Sequence, residues 1–123
     1  PKMNVVIVKP PVSVSTALIY DKLDNEEITN HPGTDKMLKA LTHGNIYEIS
    51  DNLYNVMEEV TQKLHPVVGG VKKEMLEYGA INSCMSGSGP TVFGIFDSQA
   101  SAKKAADSFS KRYKDVFMVK TLN

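Results

Sequence analysis

The chain has one cysteine, Cys84, in 123 residues, so no internal disulfide can staple it. A lone thiol fits a reducing compartment. There is no excess of either charge: 14 lysines and arginines balance 14 aspartates and glutamates. Nothing in that balance calls for a nucleic acid or an anionic membrane surface. The five tyrosines and four phenylalanines are not interleaved with basic residues, as a single-strand-binding platform requires. No apolar run approaches the roughly 20 residues of a membrane-spanning helix. The run Val5 to Val8 is also too short for a signal peptide. The expectation is a cytoplasmic protein with no nucleic-acid and no membrane partner. The chain opens on Pro1 without a methionine, a start that either methionine removal or a missing upstream part would leave.

Metal and acid–base signals are equally sparse. His31, His43 and His65 stand near predicted element ends without metal-ligand spacing, and with Cys84 they form no zinc pattern. Cys84 lies among apolar residues and reads as a small core residue. Glu58 and Glu59 are adjacent on a helix, so they point about 100° apart and make no paired-carboxylate site. They read as part of a polar helix face, and Lys72-Lys73 and Lys103-Lys104 as solvated faces.

What is present suits one globular domain. Hydrophobic residues make up 41% and charged residues 23%. Met3 to Val8 reads as a buried strand, ended by Lys9-Pro10-Pro11. Ser13 or Ser15 caps a helix to about Leu23, with Val14, Ala17 and Leu18 on one face. Asp24 to Gly33 is a polar connection. Thr34 opens a short helix carrying Met37, Leu38 and Leu41 inward, stopped by Gly44. Ile46, Ile49, Leu53, Val56, Val60 and Leu64 recur at steps of three and four and predict one long helix. Pro66 starts the next helix, which runs to Tyr78 with Val67, Val71 and Met75 inward. Ala80–Met85 and Thr91–Phe96 read as strands. Ser98 caps a helix with Ala102, Ala105, Ala106, Phe109 and Tyr113 on its inner face. A last strand covers Asp115–Leu122. The order predicts an α+β fold: a ferredoxin-like split βαβ, with a four-stranded, mainly antiparallel sheet and extra helices in the first crossover.

The stretch Met85-Ser86-Gly87-Ser88-Gly89-Pro90-Thr91-Val92-Phe93-Gly94 carries the chemical signal. Glycines there tolerate positive φ and let another backbone or a phosphate approach. Successive amides in such a turn can form an anion-binding nest. It is not a dinucleotide fingerprint, because Val92 stands where a third glycine belongs and a strand follows. It is not a P-loop, because no lysine lies between Lys73 and Lys103. On spacing alone, a hairpin without a ligand remains open.

This run resembles the third conserved motif of the GHMP kinases, a family that includes galactokinase, homoserine kinase and mevalonate kinase. Lys9-Pro10-Pro11-Val12-Ser13-Val14-Ser15-Thr16 through Tyr20, Asn55-Val56-Met57-Glu58 and Pro66–Gly79 resemble further segments of its C-terminal domain. The branch most resembled is the one acting on a diphosphocytidyl-linked methylerythritol in non-mevalonate isoprenoid biosynthesis. Homoserine kinase is the nearest rival branch, and the Lys-Pro-Pro…Ser-Thr opening argues against it.

The resemblance implies a kinase that moves the γ-phosphate of ATP, with Mg²⁺, onto a hydroxyl of that small-molecule substrate. It places the ATP-phosphate loop and the reacting lysine and aspartate in an N-terminal domain of the same polypeptide. This chain, residues 1–123, would be the single C-terminal domain. It would supply no catalytic residue and no metal ligand, would bind neither ATP nor Mg²⁺ alone, and would be inactive by itself. Gly87, Ser88, Gly89 and Thr91 would support the phosphate loop, and Thr16 and Tyr20 would line the substrate side. An exposed apolar or mixed surface is expected where the other domain docks. Two other readings stay open: a free-standing ferredoxin-like ligand-sensing module, and a purely structural interaction domain.

Overall fold

A computed structural model describes residues 2–25 and 34–121. The elements in chain order are β1 (Asn4–Lys9), α1 (Thr16–Asn25), α2 (Thr34–His43), α3 (Ile46–Asp51), α4 (Glu58–Leu64), α5 (Pro66–Glu77), β2 (Asn82–Met85), β3 (Val92–Phe96), α6 (Gln99–Ser110) and β4 (Asp115–Lys120). The strands form one sheet in the order β2-β3-β1-β4, and every pair is antiparallel. This is the expected α+β, split βαβ plan, with α1 to α5 filling the first crossover.

Strand alternation sorts the core onto two faces. Val6 and Val8 of β1, with Val92 and Phe96 of β3, meet Val68, Val71 and Met75 of α5 and Ala102, Ala105 and Phe109 of α6. Tyr78 meets Phe109 edge-on, with ring centroids 5.1 Å apart. Arg112 bonds Glu74 through both terminal nitrogens, tying the end of α6 to α5. On the opposite face, Ile95 packs with Ala40 of α2 and Ile49 of α3. The side chain of Asn82 donates to the Ser50 carbonyl at 2.6 Å and ties α3 to β2.

Three expectations need correction. The long helix over 46–64 is two helices, α3 and α4, separated at 52–57. Asn52 donates its side-chain amide to the Glu48 carbonyl, and Asn55 accepts from the Met57 amide. Such local bonds compete with helix, which is why asparagine favours ends and turns. The inner face of α1 is not Val14, Ala17 and Leu18. Ser15 caps the helix by accepting from the Leu18 amide, α1 packs on α4, and Ile19 is the side chain turned inward. In α2, Ala40 is buried and Met37 partly so, while Leu38 and Leu41 face outward. The Asp24–Gly33 connection and His31 fall largely outside the described residues.

One close approach fixes how α5 lies on the sheet. A β-carbon on Gly94 would stand 2.8 Å from the Met75 sulfur and 3.3 Å from a Phe96 ring carbon. Both side chains are fully buried, so neither has room to retreat. Gly94→Ala should therefore destabilise the fold by about 1–3 kcal/mol in urea unfolding. The same change in a Met75→Ala background should cost less, because the sulfur it strikes is gone.

Candidate functional site

The link between β2 and β3 closes as a tight turn. Ser86 N–H donates to Thr91 O at 2.8 Å, and Gly89 N–H donates to Ser86 O at 3.0 Å. Gly87 and Gly89 sit at φ +59° and +86°, and the Gly89–Pro90 bond is cis. L side chains rarely adopt such φ values.

Three side chains from the 55–61 segment grip the backbone of this turn. Asn55 donates its side-chain amide to Met85 O at 2.6 Å and to Gly87 O at 2.8 Å. Thr61, fully buried, donates its hydroxyl to Ser88 O at 3.0 Å. Glu58 accepts from Met85 N–H at 2.8 Å on one oxygen and from Lys72 at 2.7 Å on the other. The carbonyls of residues 85 to 88 therefore all have protein donors. The amides of Gly87 and Ser88 have no acceptor among the described residues.

Sequence reasoning missed most of this grip. Glu58 is not on a solvated helix face; its side chain is only 13% exposed. Lys72 is its partner across the α4–α5 packing and is not part of a solvated lysine face. The available signal was Asn55, Glu58 and Thr61 recurring at steps of three, the spacing that lines residues along one side of a helix.

The turn also reaches α1. Thr16 Oγ1 and Ser88 Oγ share a hydrogen bond of 3.0 Å. Tyr20 follows Thr16 by one helical turn on the same side and is 51% exposed. Thr91 is partly buried and contributes the carbonyl that closes the turn. On the other flank, an open groove of about 430 Å³ runs from the turn past Leu53, Tyr54 and Phe93 to Met37 and Leu38 of α2.

The remaining reactive residues are structural. Cys84 is buried, and its thiol is pushed up to about 11, first by burial and then by the negative charge of Glu58; Lys72 acts the other way. His43 ends α2 and bonds Glu48 at 3.0 Å, and His65 joins α4 to α5. Among the described residues, no group of three His, Cys, Asp or Glu side chains could hold a metal ion.

The two turn glycines should respond differently to substitution. At Gly87 a β-carbon meets open space, so Gly87→Ala costs only the left-handed backbone penalty, about 1–2 kcal/mol, and Gly87→Asn less. At Gly89 it would lie 2.8 Å from the Met85 sulfur and 3.0 Å from Thr61 Cγ2, so Gly89→Ala should be the more destabilising in urea unfolding. A second prediction follows from Cys84. Its thiol ionises near 9.0 when unfolded and near 11 when folded, so its contribution is complete below pH 9 and is lost as pH rises from 9 through 11. The urea midpoint should fall between pH 8 and pH 10 by more in the wild type than in Cys84→Ala.

The family model described as "GHMP kinases C terminal" matches residues 37–115. A protein named 4-diphosphocytidyl-2-C-methyl-D-erythritol kinase from Alkaliphilus oremlandii is 47% identical over 119 residues, covering 97% of this chain and 41% of its own length. One of the same name from Alkaliphilus metalliredigens is 44% identical over 116 residues, covering 94% and 40%. The chain thus spans about two fifths of the length of these relatives. A crystal structure of 4-(cytidine 5'-diphospho)-2C-methyl-D-erythritol kinase superposes with a TM-score of 0.79 at 24% identity, covering 98% of this chain and 43% of the other. That likeness confirms the fold, and the family match spans more than half of the sequence: the chain belongs to the GHMP kinase C-terminal family.

Proposed function

We propose that this chain is the C-terminal domain of an ATP-dependent kinase that phosphorylates a hydroxyl of a diphosphocytidyl-linked methylerythritol in the non-mevalonate isoprenoid route. The names of the relatives support the substrate, and their greater length supports an N-terminal domain in the same polypeptide. The observation in the fold that carries the reading is the Thr16–Ser88 hydrogen bond. It joins the glycine turn to the helix bearing Thr16 and Tyr20, so the phosphate-facing and substrate-facing elements form one rim.

The reaction divides between the two domains. The substrate hydroxyl oxygen bonds to the γ-phosphorus, the bond to the bridging oxygen breaks, ADP leaves, and the hydroxyl proton passes to a base. This needs positioning and charge stabilisation more than covalent help. ATP, Mg²⁺ and the base are assigned to the N-terminal domain, as the family resemblance implies and the greater length of the relatives supports. The role of this chain is shape. Gly87, Ser88, Gly89 and Thr91 brace the phosphate loop, with the two free amides of the turn facing it. Thr16 and Tyr20 wall the substrate; Tyr20 offers an apolar ring with a polar tip. The exposed Tyr20, Leu38 and Leu41 supply mixed surface of the kind a docked domain covers. The setting is cytoplasmic.

The complete polypeptide with ATP and Mg²⁺ should release ADP in the presence of the diphosphocytidyl substrate and not with homoserine. Transfer to homoserine instead would overturn the substrate assignment. The isolated chain should neither turn over nor bind ATP stoichiometrically in calorimetry. Tight ATP binding by this chain alone would show that the nucleotide site is not in the other domain.

A further inference from the structure

We propose that Asn55 and Thr61 are positioning residues for phosphoryl transfer, setting the glycine turn through its carbonyls. This rests on the kinase reading above.

The geometry separates this role from ordinary packing. Asn55 uses its two ends for different tasks. Its carbonyl oxygen accepts from Met57 N–H at 2.9 Å, which shapes the entry to α4. Its amide nitrogen serves the turn, at Met85 O and Gly87 O. Thr61 likewise has two functions. Its methyl faces the Gly89 α-carbon, where a β-carbon would lie 3.0 Å away, and its hydroxyl holds Ser88 O. Glu58 anchors the base of the arrangement at Met85 N–H, with Lys72 neutralising its charge.

The consequence is a fixed polarity. Each carbonyl shares a peptide plane with the next amide. Asn55 on Gly87 O fixes the plane of the Ser88 amide. Thr61 on Ser88 O fixes the Gly89 amide that holds Ser86 O, and with it the plane of the Gly87 amide. The Ser88 side chain is then free to meet Thr16. Loss of the inner donors lets these planes rotate, which moves both the free amides and the Thr16 contact. Misplacement on the order of 1 Å can lower a rate by about 100-fold. A loop whose work is bracing is sensitive to such a shift even when the fold is intact.

The test uses near-isosteric variants in the complete polypeptide. Asn55→Asp keeps the acceptor for Met57 and replaces the donor facing two carbonyls with an oxygen. Thr61→Val keeps the shape and removes the hydroxyl; Thr61→Ser keeps the hydroxyl and removes the methyl. Hydrogen–deuterium exchange of peptides spanning 84–90, the thermal midpoint, and kcat with KM for each substrate are measured for all. We expect Asn55→Asp and Thr61→Val to speed exchange in the turn and lower kcat about tenfold or more. The KM for the diphosphocytidyl substrate should change less than threefold, and Thr61→Ser should recover most of the activity that Thr61→Val loses. Unchanged exchange in both variants would overturn the grip itself. Faster exchange with wild-type kcat would overturn the positioning role and leave the kinase reading standing. Recovery of kcat in neither or both Thr61 variants would also count against the hydroxyl. If no protein, wild type included, transfers phosphate, the kinase reading falls and this proposal with it.

Discussion

Backbone carbonyls taken out of a strand ladder must find donors elsewhere, and in this protein that demand is concentrated at one turn. Met85, Gly87 and Ser88 point their carbonyls toward Asn55 and Thr61, while Glu58 takes the Met85 amide. Much of the surrounding structure follows. The 46–64 helix breaks so that Asn55 can reach the turn. The segment that resumes as α4 brings Thr61 under Gly89, which leaves no room there for a β-carbon. Glu58 in turn needs Lys72, and their bond at 2.7 Å pins α5 beside α4. A charge-assisted hydrogen bond of this kind is shorter and stronger than a neutral one. Its cost in desolvation is limited because Lys72 keeps some exposure to water.

The same turn gives a chain whose described residues form no metal-binding group a part in a family of kinases. Its thiol is buried and held protonated, and its described carboxylates form no cluster. What it offers is a rigid edge. The β2–β3 hairpin rests on a sheet filled by Val92, Phe96 and Met85, so the turn is presented from a packed base. On one flank it touches Thr16, and on the other it borders the groove that runs past residues 52–54 to α2. Phosphoryl transfer places a premium on such fixed surfaces, because most of its acceleration comes from holding charge and reactants in place.

Much of this was legible in the residues. Strand boundaries fell within a few positions of the observed ones, because β-branched runs between turn residues leave few alternatives. The glycine turn, its lack of P-loop features and its family resemblance were also readable. The failures share a cause. For α1 and α2 the apolar stripe was drawn through the largest residues, Leu18, Leu38 and Leu41, yet the neighbours available to each helix selected Ile19 and Ala40. An amphipathic period gives a face but not the partner that decides how deeply each residue sinks. The continuous helix over 46–64 failed for the opposite reason. Its apolar period was real, but Asn52 and Asn55 had backbone partners that a one-dimensional pattern does not contain.

The sequence by itself determined the order of the strands, the α+β class and the position of the turn, because these depend on local sterics and on hydrophobic period. It also placed glycines where the turn takes positive φ. The tertiary structure alone decided which polar side chains meet that turn. Asn55 and Met85 are 30 residues apart, and Thr16 and Ser88 are 72 apart. Hydrogen bonds over such separations depend on the packing of helices against the sheet, and no local propensity encodes that.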